Sequence, residues 1–223
     1  MTSPSTGVRI VELAIDTASV CLAERRDVLN PLGMCVLVHD QHGDLDRMRQ
    51  FVGALDRYSL SSLLIDLPGH GLSSGDAAKD SVAAVEAVLF YAHAAVQPVT
   101  VIVDGASTDT LLRVYPPESL AAYVMLAPRS DMPDEDFCQT AWSRIPSISI
   151  LDPHDEAADR VAGMVARNTR AVAGRVFAHK AAVLGSGRAA WPIQSAQSAA
   201  SFLAEHATFW RSANKPMTGK EIQ

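Results

Sequence analysis

Four short runs constrain this chain more than any other feature: MCVLVHD from Met34, SLLIDL from Ser62, VTVIVD from Val99 and LAAYVMLAP from Leu120. Each is apolar almost without interruption, the pattern of a strand buried on both faces rather than one that alternates between core and solvent. Helical stretches lie between them. DLDRMRQFVGALDRY, from Asp44, puts Leu45, Met48, Phe51, Val52 and Leu55 on one side. DSVAAVEAVLFYAHAAV, from Asp80, has an acidic start that suits the positive end of a helix dipole. Buried strands that alternate with helices imply a mainly parallel sheet covered on both faces.

The remaining segments extend this scheme. VRIVELAI and SVCLAER read as two further strands, arranged as a hairpin. DTLLRVY is a short helix stopped by Pro116 and Pro117. PSISILD is a further strand and DEAADRVAGMVARNTRAV a further helix. KAAVLGSG is expected as the last strand and SAQSAASFLAEHATFW as the last helix. With 223 residues and neither an internal repeat nor a linker, a single domain over residues 1–210 is expected, with a polar tail from 211 to 223.

Composition narrows the partners. Asp plus Glu outnumber Lys plus Arg by 25 to 19, a net charge of −6, which argues against nucleic acid or an anionic membrane. No apolar run is long enough to span a bilayer. MTSPSTGVRI has neither the basic nor the apolar region of a signal peptide. The three cysteines, an odd number with no CxxC spacing, read as reduced thiols. A cytoplasmic protein is the expectation. No metal or other cofactor is expected: HDQHGDLD, with His39, Asp40, His42, Asp44 and Asp46, has no second ligand cluster to complete a site. GHGLSSG lacks the spacing of a phosphate loop.

From about Met34 to Leu203 the order of elements and their connecting motifs resembles the α/β-hydrolase superfamily, of serine esterase and lipase type. The most specific motif is IDLPGHGLSSG, close to the DLPGHGxS loop of that family. LVHDQHGD resembles its oxyanion-loop segment, PESLAAYVMLAP the entry to its sixth strand, and ILDPHDE the loop that carries the triad acid. The resemblance implies a sheet of about seven or eight strands, mostly parallel, with helices on both faces. Only PRSDMPDEDFCQTAWSRIP separates the sixth and seventh strands, too little for a large lid domain.

The same resemblance directs attention to VIVDGASTDTLL as a nucleophile elbow, a strained strand-to-helix turn with small residues on either side of the nucleophile. Three registers are open. Ser107 at the tip gives Gly105-Ala106-Ser107-Thr108-Asp109, with Asp109 where the family has glycine. Ala106 at the tip leaves no nucleophile, and Asp104 resembles a carboxylate-type elbow. Ser107 fits best because it keeps Gly105. The acid then falls on Asp155, and the oxyanion hole on the N–H of Thr108 and one near Asp40. The histidine position, after GSG in LGSGRAAW, holds Arg188, which cannot act as a base near neutral pH. His179 and His154 are the candidate stand-ins, and His70 reads as a loop residue bonding backbone groups. Asp40 and Asp109 would oppose a developing oxyanion.

Two functions are therefore expected. One is a protein with a degenerate triad that binds a small acyl-type ligand, joins a protein partner or homo-oligomer, or runs chemistry without an acyl-enzyme. The other is a small ester or thioester hydrolase that uses Ser107 and Asp155 with an unidentified base.

Overall fold

The structure, a computed structural model, describes residues 7–25, 28–41, 43, 48–151, 155–169, 178–182 (backbone only), 191 and 193–214. Arg188, His154, His42, Asp44 and Asp46 lie outside these residues.

Among the described residues eight strands form one sheet: β1 (Val8–Ile15), β2 (Ala18–Arg25), β3 (Gly33–Val38), β4 (Leu60–Ile65), β5 (Val99–Asp104), β6 (Leu120–Leu126), β7 (Ser147–Leu151) and β8 (Ala178–Ala182). Their spatial order is β1-β2-β4-β3-β5-β6-β7-β8. β2 runs antiparallel to both β1 and β4, and every other pair is parallel. The hairpin of β1 and β2 thus adds an antiparallel edge to a parallel sheet.

The buried runs behave as two-faced strands. In β3, Met34, Val36 and Val38 enter one core while Cys35 and Leu37 enter the other. The first core packs against α2 (Ala77–Ala95), α3 (Ser107–Arg113), α4 (Asp134–Gln139) and α5 (Glu156–Asn168). The second packs against α1 (Arg49–Arg57) and α6 (Ile193–Ala213), whose Ala196, Ala199, Ala200 and Leu203 face Phe51, Val52 and Leu55. Burial pushes the Cys35 thiol up to about 12, which leaves it an inert core group.

Boundaries differ from the sequence reading in ways with local causes. α2 starts three residues early because Asp76 caps it, accepting from the N–H groups of Ala78 and Lys79. β8 starts at Ala178, two residues before KAAVLGSG. α6 extends to Ala213, into the segment read as tail. The segment between β6 and β7 contains α4 and a 3₁₀ turn, Ala141–Arg144, neither of which was legible in sequence. Phe137 and Trp142 from this segment are fully buried, so it caps the core rather than forming a lid.

Candidate active site

The elbow starts where β5 ends, at Asp104. The chain then reverses through Gly105, which has φ +58, a left-handed conformation that favours glycine. Gly105 is pinned on both sides: its N–H donates to the Leu126 carbonyl at 2.9 Å, and its carbonyl accepts from Arg129 N–H at 3.0 Å. The tip of the turn is therefore Gly105, with Val103 two residues before it and Ser107 two after. Ser107, the residue placed at the tip from sequence, instead opens α3. It is fully buried, and its hydroxyl donates to the His39 carbonyl at 2.7 Å. The reason for the difference is that β5 stops two residues earlier than the Ser107 register requires. The signal available in sequence is Gly105 itself, the residue best able to hold a left-handed tip.

The oxyanion-loop segment is anchored by two histidines. His39 is fully buried; its Nε2 accepts from Leu67 N–H at 3.1 Å, so its Nδ1 carries the proton and donates to the Asp40 carbonyl at 2.7 Å. His70 stacks edge-on against it at 5.1 Å and reaches the carbonyls of Pro68 and Gln41. These contacts place Asp40 directly over the elbow. Its Oδ1 accepts from Ala106 N–H at 2.9 Å. A Cβ built on Gly105 would lie 2.5 Å from the Asp40 carboxyl carbon. Asp40 thus meets the elbow as an acceptor, through its carboxylate. Thr108, the other expected oxyanion donor, is fully buried in α3 and gives its N–H to the Gly105 carbonyl at 3.2 Å.

Asp155 caps α5, with Oδ1 accepting from Ala158 N–H at 3.1 Å. Its Oδ2 meets Arg129 Nη2 at 2.6 Å. Partial burial opposes its charge, but Arg129 and the backbone N–H groups of Ala158 and Ala157 outweigh this and hold the carboxyl below its ordinary value. The partner of the acid among the described residues is therefore Arg129; Arg188, which holds the histidine position in the sequence, lies outside them. Because Arg129 also bonds the Gly105 carbonyl through its backbone, it ties the acid to the elbow.

Asp109 is taken up by side-chain partners of its own. It receives Arg113 Nε at 2.6 Å and the Ser130 hydroxyl at 2.7 Å. Burial works against its charge, yet Arg113 and Ser130 keep the carboxyl below the usual range. His179, a candidate base, lies on β8 opposite Ile148 of β7, three residues short of the strand's C-terminal end at Leu151. At about 3.3 Å per residue this puts its backbone about 10 Å below the edge where the elbow lies.

No protein-family model matches the chain, and no curated protein matches it in sequence. Solved structures do match. The chain is similar to the esterase Pf2001 of Pyrococcus furiosus, at 12% identity and a TM-score of 0.69, over 92% of this chain and 94% of that one. It is also similar to Est1E of Butyrivibrio proteoclasticus in complex with ferulic acid, at 13% identity and a TM-score of 0.67, over 89% of this chain and 99% of that one. An α/β serine hydrolase homologue from Coxiella burnetii matches at 15% identity and a TM-score of 0.65, over 92% and 99% of the two chains. With the sheet order above, these matches define the class: the chain has the α/β-hydrolase fold.

Proposed function

We propose that this protein is a non-hydrolytic member of the α/β-hydrolase class, one that retains the scaffold and lacks the acyl-transfer machinery. The observation that carries this is the state of the elbow. Gly105 supplies no nucleophile at the tip, and the Ser107 hydroxyl is buried against the His39 carbonyl. A serine nucleophile needs an exposed hydroxyl with a base beside it. Ser107 has a carbonyl acceptor instead, which cannot take its proton. Asp155 is held by Arg129, so the acid is committed to an ion pair and not to orienting an imidazole.

Such a protein binds a small acyl-type ligand at the strand ends, or serves as a partner within an assembly, a second copy of this chain included. A cytoplasmic setting is consistent with free thiols at Cys21, Cys35 and Cys138. No helix among the described residues is long and apolar enough to cross a membrane. The alternative, a small serine esterase using Ser107, Asp155 and an unassigned base, is favoured by one observation: several structural neighbours are esterases.

Fluorophosphonate labelling separates the two. The expected result is no labelling of folded wild-type protein, with Ser107→Ala indistinguishable from it. Labelling of the wild type that disappears in Ser107→Ala would establish the esterase and overturn this reading.

A further inference from the structure

We infer that Asp40 is a resident plug of the elbow: its carboxylate occupies the space of a nucleophile side chain and engages the backbone donor that an oxyanion would use. This deepens the non-hydrolytic reading and rests on it. In a nucleophile elbow the oxyanion donor is the N–H of the residue after the nucleophile. With Gly105 at the tip, that donor is Ala106, and Ala106 N–H is bonded to Asp40 Oδ1 at 2.9 Å. The carboxylate also covers the tip from the side-chain direction. A Cβ at Gly105 would meet both its oxygens, at 2.5 and 2.9 Å. One side chain thus fills two places, that of the attacking atom and that of the anion the attack creates.

The plug is held from behind. The Asp40 carbonyl accepts from His39 Nδ1 at 2.7 Å and from Gly43 N–H at 2.8 Å, which fixes the backbone that aims the carboxylate. Ser107 adds a tie from α3 to the preceding residue through the His39 carbonyl. Gly105 and Asp40 are therefore coupled: a side chain at 105 needs the carboxylate displaced, and the carboxylate needs glycine at 105. The elbow is closed to a substrate carbonyl by this contact, in addition to having no nucleophile.

The test makes the coupling visible with a nucleophile that needs no base. A cysteine thiolate forms unaided at mildly alkaline pH and is slowed by a neighbouring carboxylate, which disfavours its charge. Gly105→Cys would be prepared alone and with Asp40→Gly. Alkylation by iodoacetamide at position 105 would be followed by peptide mass spectrometry, which separates it from the native thiols. The expected result is at least a tenfold faster reaction in the double variant. Equal rates in the two proteins would overturn the plug.

Amide hydrogen exchange in the otherwise native chain supplies a second readout that does not depend on Gly105 variants folding. Exchange at Ala106 should accelerate at least tenfold in Asp40→Ala and stay near wild type in Asp40→Asn, whose side-chain oxygen can still accept the bond. Unchanged exchange in Asp40→Ala would also overturn the proposal. Neither result depends on fluorophosphonate labelling, so the failure of the non-hydrolytic reading and the failure of the plug remain separate outcomes.

Discussion

Ser107 is a serine whose hydroxyl is consumed by structure. Its Oγ donates to a buried carbonyl, and removing it leaves that acceptor without its partner. Ser107→Ala should therefore cost about 1 kcal/mol in denaturant unfolding, the usual worth of such a bond. The test is a stability measurement on a residue that would otherwise be assayed only for activity. Asp155 makes a complementary case. Asp155→Asn keeps a capping oxygen and loses the ion pair to a guanidinium that is 42% exposed, so its cost should be below about 1 kcal/mol. Asp155→Ala also loses the cap and should cost about 1–2 kcal/mol. The pH dependence has a definite sign. A carboxyl held below its ordinary value in the folded state stabilises the protein above its unfolded value, about 3.9, and loses that contribution as pH falls through the folded value. The melting-temperature gap between wild type and Asp155→Asn should be constant at neutral pH and shrink only in acid below about pH 4. A gap that opens on acidification would contradict the Arg129–Asp155 assignment.

At the scale of elements, the connection between β6 and β7 decides how open the strand ends are. Its acidic helix α4 and the following 3₁₀ turn face solvent on one side and insert Phe137 and Trp142 on the other. Trp142 stacks edge-on against Tyr123 at 5.1 Å, and its indole N–H donates to the Val114 carbonyl at 2.7 Å. The connection is thus part of the core, and a hinged lid is not available from it. Trp142→Ala should cost about 3–5 kcal/mol, as a fully buried large side chain does, and thermal melting should show it directly. The α1–α6 layer makes the opposite kind of contact. Small residues there let the helices approach closely, so Ala200→Leu should destabilise by about 1–3 kcal/mol through overpacking. A neutral or stabilising result by chemical denaturation would show that the two helices can separate without cost.

For the whole molecule, the proposed non-hydrolytic reading predicts catalytic silence toward simple esters. On that reading, hydrolysis of short-chain p-nitrophenyl esters should sit at the uncatalysed background, because a positioned base alone contributes about a hundred- to ten-thousand-fold and a glycine at the tip offers no nucleophile. Asp109→Gly, which removes the residue suspected from sequence of spoiling the elbow, should restore nothing. Its carboxylate is bonded to Arg113 and Ser130, while the carboxylate that lies against the tip is that of Asp40. Steady-state assays of the wild type and this variant check both statements, and turnover well above background in either would contradict them.

The alternation of buried strands and helices determined the class of fold from the sequence alone. That pattern is set by near neighbours: a strand covered on both faces must be apolar at every position, and a helix must repeat its apolar residues about every turn. The DLPGHG loop and the order of the elements then narrowed the class to the α/β-hydrolase fold. The elbow could not be read the same way. Whether Ser107 or Gly105 forms its tip depends on where β5 stops, and that is set by pairing with β3 and β6 across the sheet. Asp40 lies 66 residues from Ala106 and Arg129 lies 26 from Asp155, and nothing in local periodicity specifies either contact. Only the tertiary structure brings these groups together, because charge and hydrogen bonding act over a few ångströms in space and are blind to distance along the chain.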